Sequence, residues 1–201
     1  LAQLYKIEIA INFTGIKMSF TDFEKKVFDI KDEPLPKGAW WYWLWLFFFN
    51  NPENPENPRQ AMILWSTKNE KEIECNNLKL KINCSNDKSI LNGAVAAWYF
   101  DGEKMHHNFL LEQCNINITE KKLSSDSYIP TSFSVNKNKN VITIGKDFKF
   151  FAEAKNDHVL SKPSYRINTY IGKKGYSIME LRHLNLSGKI KRESIHGSAY
   201  F

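Results

Sequence analysis

The stretch Ala39-Trp40-Trp41-Tyr42-Trp43-Leu44-Trp45-Leu46-Phe47-Phe48-Phe49 decides how this chain is read. As a helix it is about half the roughly 20 apolar residues needed to span a bilayer. As a strand it is apolar on both faces and must be covered on both, one by a barrel interior and the other by a helix, a second sheet or a further segment. Either face can line a pocket. A plain packed core is the alternative, but four tryptophans in six positions leave more indole N–H groups to satisfy than a core usually asks for.

Working outward, strand signals dominate. Tyr5, Ile7, Ile9 and Ile11 alternate with residues of mixed polarity, and Leu78, Leu80, Ile82 and Cys84 repeat the same period of two. Phe133 and Val135 lead into the Asn136–Asn140 turn, after which Val141–Ile144 and Phe148–Ala154 resume extended patterns. Gly172-Lys173-Lys174-Gly175 separates Tyr165–Ile171 from Tyr176–Leu181 as a hairpin. Asn51–Pro58, a short Asn-Pro-Glu repeat, is a loop between two strands because its prolines cannot donate to a ladder. One short N-terminal helix is expected before Pro34. Thr21 and Glu24 form its capping box, and Phe23, Val27, Phe28 and Ile30 form its apolar stripe. The fold class is therefore all-β, an antiparallel barrel or sandwich with one helix. Residues 1–182 are read as the barrel, and 183–201 as closing strands or the start of a second β-domain. The chain stops at Phe201 inside a strand pattern and opens on Leu1, so further sequence is expected beyond it.

At 201 residues the chain can bury a core without a staple. Cys75, Cys84 and Cys114 are an odd number without CxxC spacing, which favours reduced thiols and a cytoplasmic setting. The Asn-x-Ser/Thr triplets at Asn12, Asn83, Asn117 and Asn185 are what so asparagine-rich a chain produces by chance. No basic-then-apolar leader opens the sequence. The net charge of +6 comes from lysines scattered over strand faces, which argues against a nucleic-acid footprint and leaves a mild attraction to anionic membrane surfaces. The oligomeric state is not encoded legibly.

Polar chemistry concentrates in Gly93–Cys114. Asp101-Gly102 is read as a two-residue hairpin turn, setting Phe100 opposite Glu103, Trp98 opposite Met105, Ala97 opposite His106 and Ala96 opposite His107. Small residues facing both histidines would leave room for a ligand. His106, Asn108 and Glu112 then share one face, where a buried Glu112 could hold a proton for an alkene or enol; simple hydration of that face is the alternative. Glu112 and His106 are the candidate catalytic groups. Trp40, Trp41, Tyr42, Trp43 and Trp45 are candidate ligand-lining residues, joined by Trp98, Tyr99, His107 and Asn108. No metal is expected, because the adjacent His106 and His107 point to opposite faces and His158, His183 and His196 have no ligand-spaced partners. No nucleophile elbow, phosphate loop or dinucleotide fingerprint occurs, and no cofactor is expected.

Trp40-Trp41-Tyr42, followed much later by Leu184-Asn185-Leu186-Ser187-Gly188 and His196-Gly197-Ser198-Ala199-Tyr200, resembles the carotenoid 1,2-hydratase (hydroxyneurosporene synthase) family. The resemblance spans most of the chain on short motifs. It implies lipocalin-like barrels, with these residues forming the first, and a long isoprenoid or terpenoid substrate. It also implies hydration of a prenyl double bond by a carboxylic acid, with aromatic faces stabilising the cation. The acid that such hydratases use corresponds to no position in this chain. A non-catalytic lipid carrier and a structural or partner-binding β-domain are the competing readings.

Overall fold

The computed structural model describes residues 16–29, 37–82, 90–154, 163–171 and 174–201. In chain order these contain β1 (Ile16–Lys17), helix α1 (Phe20–Lys26), β2 (Trp40–Phe49), β3 (Arg59–Lys68), β4 (Glu72–Cys75), β5 (Leu78–Lys81), β6 (Ile90–Phe100) and β7 (Met105–Thr119). There follow β8 (Lys122–Ser125), β9 (Thr131–Asn136), β10 (Lys139–Ile144), β11 (Phe148–Glu153), β12 (Ser164–Ile171), β13 (Lys174–Glu180), β14 (Leu184–Ile190) and β15 (Glu193–Tyr200). The expected strand over Tyr5–Ile11, the helix residue Ile30, Cys84 and His158 lie outside the described residues.

Ten strands close into one antiparallel barrel, ordered β2-β3-β6-β7-β8-β9-β10-β11-β14-β15, with β15 pairing back onto β2. The barrel, not the sandwich, is therefore the fold. Every strand pairs with the one before it in the chain, apart from two excursions, the β4–β5 hairpin and the β1–β12–β13 sheet. Closure removes the free edges that so many strands would otherwise expose. At the closing seam Gly197 pairs with Phe49, and a Cβ on Gly197 would run into the backbone of Phe48 and Phe49. The β15–β2 approach is thus as close as it is because that residue has no side chain.

The inward face of β2 carries Trp43, Trp45, Phe47 and Phe49, all buried, and other strands bring Ile63, Trp65, Val95, Phe133, Ile142 and Phe150 against them. Burying each such side chain stabilises the fold by about 1.5–3 kcal/mol. Strands β2 and β9 sit on opposite sides of the ring of ten. Their rings nevertheless meet: Trp45 and Phe133 are 5.1 Å apart edge-to-face, and Trp65 reaches the same Phe133 at 6.4 Å. Phe47 stacks on Phe150 at 4.2 Å. The barrel centre at this level is crossed by aromatic contacts, so the open hollow anticipated from the sequence is closed by the protein's own rings in the ligand-free chain.

The second expected cover for β2 is incomplete. Its outward residues Trp40, Tyr42 and Phe48 are 54%, 40% and 38% exposed. Leu44 and Leu46 are only half-buried, beside Leu64 and Met62 of β3. No helix or second sheet among the described residues shields this stripe. The β4–β5 hairpin covers the neighbouring β6 wall, where Ile73, Ile82 and Leu80 pack on Ala94, and reaches β7 through Asn76. On the far wall the outward positions include Ser132, Ser134, Lys139, Thr143, Lys149, Ser187 and Lys189, with the cross-strand pair Val141 and Phe151 among them and the Lys139 and Lys149 ammonium groups over the Phe151 ring. No helix among the described residues is long and apolar enough to cross a membrane.

Helix α1 forms, but two residues earlier than its expected cap. Ser19 is the N-cap: its hydroxyl accepts the Asp22 N–H at 3.0 Å and donates to the Asp22 carboxylate at 2.6 Å. This Ser-x-x-Asp pairing replaces Thr21-x-x-Glu24 because Glu24 is drawn into tertiary contact, pairing with Lys121 at 3.2 Å and accepting the Lys137 N–H. Phe23, Val27 and Phe28 are buried as expected and plug one end of the barrel. Phe23 packs on Phe201 at 5.6 Å, and Phe28 on Phe133 at 5.0 Å.

The β6–β7 hairpin also differs from expectation. Phe100 pairs with Met105 and Tyr99 with His106, while the Asp101 N–H bonds the Lys104 carbonyl, so the loop has four residues rather than two. The Asp101 carboxylate accepts the Glu103 and Lys104 N–H groups and so stabilises the longer turn. Beyond it Ala97 pairs with Leu110, and Asn108 takes a left-handed φ of 54° in the bulge between. Tyr99, not Ala97, therefore faces His106, and the space predicted beside the histidine is filled.

Candidate functional site

The two barrel ends differ in chemistry. At the end away from α1, the loops after β2, β6 and β14 lie by Arg59, the first residue of β3, which is only 7% exposed. Its guanidinium donates to Glu193 through both terminal nitrogens, at 2.8 and 2.5 Å, while Nε donates to the Asn50 carbonyl at 2.8 Å. The group also lies over the Phe49 ring at 5.2 Å. The Glu193 hydrogen bonds hold Arg59 firmly charged, and Arg59 in turn draws Glu193 below the ordinary carboxylate range. Tyr99, whose phenol is pushed up by burial, stacks on Phe49, the ring beneath the same guanidinium. This end is a neutralised clamp rather than a free cation.

His106 and Glu112 stand on this side of the molecule. The His106 ring stacks on Tyr99 at 5.7 Å, and its Nε2 is 2.7 Å from the Asp101 carboxylate. Hydrogen bonds from the Lys104 backbone, His106 and the Glu103 backbone hold Asp101 far below the usual carboxylate range. Glu112 accepts the Tyr128 backbone N–H at 2.9 Å, fastening the loop between β8 and β9 to β7. His107 and Asn108 are exposed, and Asn108 accepts a hydrogen bond from Asn76 at 2.6 Å. The shared polar face expected of His106, Asn108 and Glu112 is thus divided among a turn, a bulge and a loop anchor.

Of the expected ligand-lining aromatics, Trp41, Trp43, Trp45 and Tyr99 lie on the inward face, whereas Trp40, Tyr42 and Trp98 lie on the outward one. The inward tryptophans are joined by Trp65, which the sequence signals through the alternation Ala61-x-Ile63-x-Trp65. Three of these indoles are essentially inaccessible: Trp43 is 1% exposed, and Trp45 and Trp65 are 0%. Trp43 donates to the Val27 carbonyl at the end of α1, at 2.7 Å. Trp65 donates to the Thr131 hydroxyl at 2.6 Å, a bond supported by Ser125 and Ser127 behind it. Trp45 has no acceptor among the described residues; its ring neighbours are Phe47, Phe133 and Phe201. Leaving a buried donor unpaired costs about 1–3 kcal/mol, so this atom marks where the interior lacks something.

Cys114 also faces the interior, and burial pushes its thiol up to about 12, which leaves it without thiolate character. Among the described residues no three His, Cys, Asp or Glu side chains converge on a possible metal position.

Comparison with known proteins adds one structural likeness. A crystal structure from Nitrosomonas europaea, provisionally named ATTH, superimposes with a TM-score of 0.45 at 12% identity, over 86% of this chain and 55% of that one. This chain therefore spans about half the length of that protein. No family model matches the sequence, and no curated protein does.

Proposed function

We propose that the barrel binds a hydrophobic ligand of the isoprenoid or terpenoid class between the aromatic rings of its interior, and does so without turning it over. The observation that carries this reading is the Trp45 indole N–H, fully buried among aromatic rings and without an acceptor among the described residues. Trp43 and Trp65 have found protein acceptors, and a ligand oxygen supplies the corresponding acceptor for Trp45. Entry is from the end away from α1, past the Arg59–Glu193 clamp. The guest parts rings that touch in its absence, so the open form is a minor state and apparent affinity is reduced by its population.

A binding role is favoured over hydration because the two candidate acids have structural partners. His106 is held by Asp101, and Glu112 holds the Tyr128 N–H. A second reading, adsorption to a lipid surface, is favoured by the exposed stripe of Trp40, Tyr42 and Phe48 together with the net charge of +6. Native mass spectrometry after incubation with geranylgeraniol separates these. Retention of the lipid at unchanged mass supports binding. A gain of one water on the lipid establishes hydration instead, and then Glu112→Gln and His106→Gln identify the acid. Absence of any retained lipid rejects an interior site.

A further inference from the structure

Trp45 is not the only buried polar atom left without a partner. Asn140, on the inward-facing register of β10 with Ile142 and Ile144, is 1% exposed, and its Oδ1 accepts nothing among the described residues. Its amide nitrogen is already committed, donating to the Ala152 carbonyl at 3.2 Å. Both orphans are placed around one side chain, Phe133. Phe133, whose ring meets Trp45 at 5.1 Å, pairs with Ile142, and Val135, two residues on, pairs with Asn140. Asn140 is therefore the diagonal neighbour of Phe133 on the same inward face, a separation of about 7–8 Å between backbones. Both lie toward the α1 end, where Phe28 packs on Phe133 and where Phe23 and Trp45 both pack on Phe201.

The barrel interior thus holds an unused donor and an unused acceptor, one on each side of the Phe133 position. A hydrocarbon satisfies neither, and a ketone or ether oxygen satisfies only the donor. A hydroxyl both accepts and donates through a single oxygen. A carboxylate is disfavoured because it cannot donate and would be buried without a counter-charge. Arg59 is at the opposite end and is already neutralised by Glu193. Resting on the interior-binding reading above, we infer that Trp45 Nε1 and Asn140 Oδ1 form a polar end-stop that selects hydrophobic ligands ending in an alcohol. The alcohol end lies against α1, and the chain runs back along Phe47 and Phe150 toward the clamp. An ordered water bridging the same two atoms is the competing occupant, since buried waters settle where unpaired polar groups converge.

The test is a fluorescence titration of the whole chain with three probes on one skeleton: geranylgeraniol, its methyl ether and the corresponding hydrocarbon. The alcohol is expected to bind about tenfold more tightly than the ether, and the ether about tenfold more tightly than the hydrocarbon, one hydrogen bond being gained at each step. Trp45→Phe removes the donor along with part of the ring, so the readout is the ratio of affinities within the variant: the ether's advantage over the hydrocarbon should be abolished whatever the hydrocarbon's own affinity becomes. The ether comparison on the unmutated chain probes Asn140 without altering it, so loss of folding in an Asn140 variant cannot obscure the result. If all three probes bind within about twofold of one another, the end-stop is wrong while interior binding stands. If none binds, the interior-binding reading fails with it, and the two atoms belong to a trapped water.

Discussion

The two faces of β2 are built from nearly the same residues and meet opposite fates. Inward, Trp43, Trp45, Phe47 and Phe49 are sealed among other rings; outward, Trp40, Tyr42 and Phe48 remain substantially exposed. Hydropathy along the strand does not distinguish them. Burial here is set by closure: once β15 pairs onto β2, one face is inside by geometry whatever its composition, and the other is covered only if another element reaches it. The β4–β5 hairpin reaches β6 but not β2.

This contrast predicts very unequal costs for adjacent substitutions. Phe47→Ala removes a ring stacked on both Trp45 and Phe150 and should cost about 3–5 kcal/mol in urea unfolding. Phe48→Ala should cost about 0.5 kcal/mol or less, as surface changes do. Similar values for the pair would mean that the outer face is buried in solution by something that binds there. Next in size is the seam that creates the distinction. Gly197→Val forces a side chain into the β2 backbone and should destabilise by about 2–3 kcal/mol. Hydrogen exchange should rise first at the Gly197–Phe49 and Ala199–Phe47 pairs. Uniform loss of protection across the barrel would instead show that β15 is no special point of closure.

Smaller effects should appear at the clamped end. Glu193 is drawn below its ordinary value of 4.5 by Arg59, so its contribution to stability is present above that pH and is lost as pH falls through the lower folded value. Glu193 is partly exposed and the solvent-screened effect is modest, at most about 1 kcal/mol. Glu193→Gln should flatten this part of the acid limb while leaving stability at high pH reduced; an unchanged acid limb would show that the clamp does not form in solution. The smallest effect on stability, with a clear chemical readout, belongs to the inward thiol. Cys114 should resist alkylation at pH 8 until the chain unfolds, while the half-buried Cys75 reacts first, as read by site-resolved mass spectrometry. Early modification of Cys114 would mean that the interior opens readily without a guest.

Much of the barrel was legible because its punctuation is local. The Lys137–Asn138 turn, tighter than the expected Asn136–Asn140, the Asn51–Pro58 loop and the pairing of Ile171 with Lys174 follow from residues that favour turns or cannot join a ladder. What was not legible depends on distant partners. The helix cap moved because Glu24 found Lys121, and β7 carries a bulge because Asn108 adopts a left-handed conformation held against Asn76. Neither Lys121 nor Asn76 is near its partner in sequence. The site shows the same division. Aromatic richness identified Trp43 and Trp45 but could not say that Trp40 and Trp98 face outward, since a strand apolar on both sides carries no phase. Asn140 gave no signal at all, because an asparagine beside a Lys-Asn turn reads as part of the turn.

The central claim is that a lipid goes inside the barrel rather than onto its exposed flank. It is tested most directly by a brominated long-chain alcohol, which quenches only tryptophans it touches, added to the Trp40→Phe/Trp98→Phe double variant. That variant keeps Trp41, Trp43, Trp45 and Trp65 as its only emitters, all on the inward face. Saturable quenching in this variant is the predicted result. Quenching of the unmutated chain that vanishes in the variant would place the lipid on the outer stripe and contradict the account.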